Sequence, residues 1–152
     1  ITCKAEGTNK WVTPAFEKPE FLKKGYPRLK SPVERLIYVK SSFYDAALPK
    51  SGVIALADIS MVGADEQDGA AAISKKGGTG ILAAEIISEQ DFRDFGGRIL
   101  EVWRYDPTLL ANGGRVDDIS LLLSLEDNPN ERIQMGLDVI REKHELPIKY
   151  EE

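Results

Sequence analysis

Cysteine and histidine are almost missing from this sequence: Cys3 and His144 are the single representatives of each. Disulfide frameworks and Cys/His zinc sites need several such ligands at set spacings, so one chain cannot build either. A Cys–His nucleophile pair would have to join Cys3, at an end expected to fray, with His144, which closes an expected helix where a cation favours the dipole. No G-x-S-x-G turn is present, so Ser/His/Asp chemistry fails at its first step. No apolar run approaches the roughly eighteen residues of a membrane span, and no basic-then-apolar leader opens the chain. A cytoplasmic protein is the expectation. The chain opens at Ile1 rather than Met and reads as a processed or truncated piece of something longer.

With 152 residues, 42% of them hydrophobic, there is material for one good core and hence one domain. A 30% charged fraction with net charge -5 describes an ordinary solvated surface. The two halves differ in sign: residues 1–76 hold 12 Lys+Arg against 9 Asp+Glu, and residues 77–152 hold 8 against 16. Lys18, Lys23, Lys24, Arg28 and Lys30 make the front basic and are candidates for meeting an acidic partner. The glycine run at 74–80, SKKGGTG, invites a phosphate-loop reading, but a P-loop needs its Lys after the last Gly. Here both lysines come first, which leaves a hairpin or surface loop whose Lys75 and Lys76 can touch an anionic partner.

Along the chain, Pro14, Pro19 and Pro27 with Gly7 and Gly25 predict an irregular lead-in over 1–30, with at most a helical turn around Phe21 and Leu22. The folded domain is expected over 31–146 and an irregular tail over 147–152. VERLIYVK predicts a strand near 34–40, PKSGVIALADISMVG a short helix, and AAAISK at 70–75 a short strand. TGILAAEII at 79–87 fits a strand ahead of a helix capped by Ser88, with Asp91 at the third helical position. The clearest strand is 98–105, with Ile99, Glu101, Trp103 and Tyr105 on one face and Leu100, Val102 and Arg104 on the other. Asp106-Pro107 then predicts a short helix stopped by Asn112-Gly113-Gly114. A further helix is capped by Asp117 or Asp118, and a final one is expected to start at Asn128-Pro129 and turn Ile133, Leu137 and Ile140 inward.

Two chemical readings remain to be weighed. Glu85, Glu101 and Asp106 lie on or after candidate strands and would have to converge on a divalent ion for nuclease chemistry. The strand supplies Glu-x-Trp where Glu-x-Lys would help, so surface carboxylates and a helix cap are the better account. The acidic stretch SLEDNPNE at 124–131 fails as a calcium loop: counted from Asp127, the sixth position is Arg132 rather than Gly and the twelfth is Asp138 rather than Glu. It reads instead as the end of one helix and the start of the next, with Asn128 as cap, Pro129 first and Glu131 reaching back. No catalytic, metal or cofactor residue is therefore assigned.

Two stretches together carry a resemblance. Ser31-Pro32-Val33 leading into a strand, then Gly52, Ala55-Leu56-Ala57 and Ser60-Met61, resemble a segment of AbiEi-type antitoxins. VWRYDPTLLANGGRVDDISLLLSLEDNPNERIQMGLDVI is similar to that family's closing pattern of aromatic strand, Asp-Pro helix, Val-Asp-x-x-Ser-Leu helix and acidic-capped helix. The resemblance spans most of 28–140 and is poor over 64–97. It implies an antitoxin or transcriptional-regulator domain of a bacterial type IV, abortive-infection, toxin–antitoxin system that counters a nucleotidyltransferase-like toxin. Operator DNA binding in this family uses an N-terminal winged helix, and no basic three-helix array precedes residue 28. The fold expected is α+β: a small mixed β-sheet covered by C-terminal helices. The alternatives are the metal-dependent nuclease-like enzyme and an interaction module with a basic N-terminal surface.

Overall fold

The computed structural model describes residues 2–6, 9–13, 18–43, 45–65, 69–77, 81 and 83–149. Its centre is strand β7, Arg98–Trp103, whose sequence RILEVW alternates across a pleat and is buried from Leu100 to Trp103. β7 pairs antiparallel with β3, Val33–Val39, and parallel with β5, Ala70–Ser74. Two-residue strands close the edges: β4, Lys50–Ser51, beside β5, and β6, Ile86–Ile87, beside β3. The sheet order β4-β5-β7-β3-β6 is mixed, and with its helices the fold is α+β as the sequence implies.

The period of two in β7 separates two cores. Ala72 and Trp103 face the helices, where they meet Ala55 and Leu56 of α2 (Gly52–Ala57), Leu121, Leu122 and Leu125 of α4 (Asp118–Leu125), and Ile133, Leu137 and Ile140 of α5 (Glu131–Lys143). Leu100 and Val102 point the other way and pack with Ile37, Val39 and Ile73 under Phe43, Leu48 and Ile81. Full burial of one such Leu or Val side chain is worth about 1.5–3 kcal/mol, so the helical layer dominates the stability. It also holds α5 against α2 and the loop that follows it, so closely that a Cβ at Gly136 would stand 3.2 Å from Leu56 Cδ2 and 2.5 Å from Val62 Cγ2. Gly52, at φ 61°, turns β4 directly into α2, a backbone that side chains disfavour.

Side chains cap the starts of three helices. Ser88 Oγ accepts from Asp91 N at 3.0 Å and starts α3, Glu89–Phe95, as expected. Of the two candidate caps for α4 it is Asp117, which accepts from Ser120 N at 2.9 Å. The final helix starts later than Asn128-Pro129. Asn128 Oδ1 accepts from Asn130 N and Asn130 Oδ1 from Arg132 N, both at 2.9 Å, so Asn130 is the cap and Glu131 the first helical residue, unable to reach back from a third position.

Other expectations are corrected too. The lead-in is not irregular: β1 (Thr2–Glu6) and β2 (Asn9–Thr13) pair antiparallel, and α1 spans Lys18–Gly25, followed by one 3-10 turn at Tyr26–Arg28. Pro19 does not break α1 because it sits in the first turn, where an amide N–H has no helical partner to lose. The strand expected over 79–87 shrinks to β6 behind a 3-10 turn at Ala83–Glu85; residues 79, 80 and 82 of that expectation lie outside the described residues. β7 ends at Trp103 rather than 105: Arg104 N still donates to Pro32 O at 2.9 Å, but a proline has no N–H to return, and the ladder stops there. Asp106 caps no helix: its Oδ1 accepts from Thr108 N and Thr108 Oγ1, a side-chain turn that competes with helix formation. Of the tail, 147–149 carry neither helix nor strand, and Lys149 N donates to Asp138 Oδ1 at 2.8 Å. Among the described residues no helix is long and apolar enough to cross a membrane.

Candidate partner surface and buried polar centres

The basic front falls on α1 and the turn after it. Lys18, Lys23, Arg28 and Lys30 are exposed. Lys24 pairs with Glu20 one helical turn earlier, at 3.2 Å with both side chains half exposed, a contact worth at most ~0.5 kcal/mol. Lys75 is tied to Glu34 at 2.9 Å, and this contact holds the Glu34 carboxyl below its ordinary range. Lys75 and Lys76 leave the end of β5 in an exposed turn whose Gly77 amide is held by Ser74 Oγ at 3.1 Å, so that segment is a turn and not a phosphate loop; 78–80 lie outside the description. The front is anchored by Tyr26, whose hydroxyl donates to Glu126 Oε2 at 2.5 Å. Burial, followed by this carboxylate, raises the phenol well above its ordinary value. Glu126, which the sequence leaves in a connecting turn, is thus taken up inside the chain.

The three carboxylates of the nuclease alternative do not come together. Glu85 lies in the 3-10 turn before β6, with β3 between it and β7; Asp106 is engaged with Thr108; Glu101 is buried in the middle of β7, across from Leu36 and Ala72. Among the described residues no three His, Cys, Asp or Glu side chains form a group that could hold a metal ion. Glu101 accepts from Trp103 Nε1 at 3.0 Å on the same face of the strand, as the alternation implies. Burial raises its carboxyl above the ordinary range, opposed by the Trp103 indole and more weakly by Ser51, whose buried hydroxyl nearby falls short of a sound hydrogen bond. Such a group is held toward its neutral form, opposite to what a metal ligand needs.

Two further polar centres fasten the helices. Asp118, at the start of α4, accepts from Arg115 Nη1 at 2.9 Å, Lys143 Nζ at 2.7 Å and faces His144 Nε2 at 3.0 Å. Burial opposes its ionisation, but the hydrogen bonds from Lys143, His144 and Arg115 outweigh that and hold it far below the ordinary carboxylate range. His144 is therefore occupied as a structural contact at the end of α5; the side chain of Cys3 lies outside the description. The second centre is absent from the sequence reading. Gln134 is 1% exposed, and its amide nitrogen lies 3.2, 3.0 and 2.8 Å from the carbonyls of Leu125, Glu126 and Asn128, so it caps the C-terminal end of α4. Arg141, 7% exposed, donates to Gln134 Oε1 at 3.1 Å and to Asp138 Oδ1 at 2.7 Å. The signal for it is a polar stripe, Gln134, Asp138 and Arg141, running at helical spacing alongside the apolar one.

An open cavity of about 520 Å³ lies at the sheet end formed by Gly69-Ala70 and Gly97-Arg98, with Phe43, Leu48 and Ile54 among its walls. Its two cations are already engaged: Lys50 with Asp58 at 3.1 Å and Arg98 Nε with Ser41 O at 3.1 Å. No family model, curated protein or solved structure matches the chain.

Proposed function

We propose that this chain is a non-catalytic domain of an AbiEi-like antitoxin or transcriptional regulator of a type IV toxin–antitoxin system, working in the bacterial cytoplasm against a nucleotidyltransferase-like toxin. One observation supports treating the two motif stretches as a unit. Although they are far apart in sequence, they interlock: Arg104 N donates to Pro32 O, Lys50 N to Gly114 O and Val116 N to Lys50 O, all at 2.9 Å, while Leu56 and Ser60 meet α5 at Gly136. Residues 31–61 and 102–140 therefore build one body, as parts of a shared domain pattern should. In this reading operator DNA is recognised by a winged helix and not by the body built on β7. Co-expression tests it: the full-length gene should relieve growth arrest caused by its operon neighbour, and a neighbour that is no nucleotidyltransferase, or arrest that persists, overturns it.

The interaction-module reading is favoured by one separate observation. Lys18, Lys23, Arg28 and Lys30 lie exposed on a single short segment, and among the described residues none of them is in an ion pair. Partner binding that weakens steeply with salt and is lost on their neutralisation would carry that reading.

A further inference from the structure

The sheet runs out into cations where the parallel strands β5 and β7 leave it. The register that sets Ile73 beside Val102 and Ser74 beside Trp103 brings Lys75 beside Arg104, and Lys75 N donates to Trp103 O at 3.2 Å. On the other side of β7, Arg35 of β3 lies opposite Val102, and a bulge between Val33 and Arg35 leaves Glu34 without a partner in the ladder. Because β7 stands between β3 and β5, the ion pair of Lys75 and Glu34, 2.9 Å apart, bridges two strand spacings of about 10 Å in all and crosses the end of β7. Arg104 and Arg35 add their fields to the Lys75 hydrogen bond in holding the Glu34 carboxyl low.

Three cations thus surround one carboxylate. Arg35 and Arg104 are exposed, and among the described residues neither forms a salt bridge. The next acid along the chain, Asp106, is turned to Thr108 N and Oγ1 instead. Like charges on neighbouring strands repel, and one acid does not neutralise three bases, so the folded chain keeps a repulsion here that further carboxylates would relieve. Glu34 already shows that the cluster accepts a carboxylate. A nucleic acid fits less well: Tyr105, the adjacent aromatic, meets Trp103 edge-on at 5.6 Å and bonds Ser120, so it offers no platform for a base, and a chain of net charge -5 repels a long polyanion. We propose that an acidic segment of a partner protein docks across the ends of β3, β7 and β5, its carboxylates meeting Arg35, Arg104 and Lys75 and displacing Glu34. An extended segment advances about 3.3 Å per residue, so about three or four residues cover the row. The site is built from strand ends and is separate from the lysines of α1.

The test is fluorescence anisotropy of a labelled oligoglutamate titrated with the whole chain at low salt, with a single-stranded oligodeoxynucleotide of equal charge as the comparison. The oligoglutamate should bind with micromolar or weaker affinity, and Arg35→Gln and Arg104→Gln should each weaken it about two- to fivefold, the worth of an exposed ion pair. Glu34→Gln should tighten binding by a similar factor, because Lys75 is released and the competing carboxylate is gone. Glu142→Gln on α5 makes the same change in net charge and should leave the affinity nearly unchanged, as should Lys18→Gln with Lys23→Gln on α1. Circular dichroism of these exposed-site variants should match the parent. An oligoglutamate left unbound at millimolar chain concentration overturns the proposal. So does binding indifferent to Arg35, Arg104 and Glu34, or an oligonucleotide that binds more tightly through the same residues.

Discussion

Replacing Gln134 by Met tests the interlock between α4 and α5 most directly. Met has similar volume and fits helices well, so little cavity or propensity change accompanies the loss of the amide. What disappears is the donor shared by the carbonyls of Leu125, Glu126 and Asn128 and the acceptor of Arg141 Nη2. Two N–H protons serve those carbonyls, each bond worth about 1 kcal/mol net, and a hydrogen bond from a charged guanidinium is worth about 1.5–3 kcal/mol. Asp138 retains Arg141, which keeps the arginine contribution near its lower bound. The expected loss is therefore about 3 kcal/mol, which for a chain of this size lowers Tm by about 6–12 °C. Urea unfolding followed by circular dichroism gives the free energy directly, with an unchanged m-value as the sign that the native state is intact. A loss below about 1 kcal/mol would refute the reasoning, because it would mean that water satisfies these carbonyls without Gln134.

Three other outcomes follow from the polar centres and the helix contact. Asp118 is ionised to lower pH in the folded chain than in the unfolded one, so its contribution is complete above the ordinary carboxylate pKa and fades as pH falls through the depressed folded value. Asp118→Asn should cost about 1–2 kcal/mol at neutral pH, and the gap to the parent in urea midpoint should close on acidification below about pH 4. Glu101 has the opposite sign: its folded carboxyl titrates higher, so the parent loses stability as pH rises past the ordinary glutamate value. Glu101→Gln, which can keep the Trp103 bond through its carbonyl, should gain on the parent in thermal scans from pH 4 to pH 7; a constant difference would argue against a raised carboxyl. Gly136→Ala would gain about 1 kcal/mol from helix propensity alone, yet the 2.5 Å approach to Val62 should reverse this to a net loss of about 1 kcal/mol, and a rise in Tm would show that the loop at 60–63 yields freely.

The parts of the fold legible in the sequence are those where a local pattern decides the outcome. The alternation of RILEVW, the cap at Ser88 and the apolar stripe of α5 each imply one structure, and each is found. Misreadings occur where several local solutions compete. Asp106-Pro107 offers a helix start and a side-chain turn with equal local merit, and the Thr108 hydroxyl tips it to the turn. Asn128 and Asn130 can both cap, and the second prevails after the first has made its own turn. The prolines of the lead-in were poor guides because a first-turn proline leaves a helix intact. Of the candidate site residues, the exposure of Lys18, Lys23, Arg28 and Lys30 follows from composition and the Lys24–Glu20 pair from helical spacing, whereas the partner of Lys75 is a residue that only the fold brings near. Gln134 and Arg141 escaped notice because polar residues on a helix are first read as its wet face.

The central position of β7 governs how the chain can be made. Its neighbours β3 and β5 are synthesised well before it, and neither can complete its ladder until residues 98–103 have left the ribosome. Until then, the β-rich segment 33–39 has no strand to cover its inner edge, and unpaired edges of this kind invite pairing with other chains. Messages or products cut short before residue 98 should therefore lack the strand that joins β3 to β5 and never assemble the five-stranded sheet, and such fragments are natural substrates for chaperones and proteases. The abundance of this protein is thereby made sensitive to whether translation passes residues 98–103.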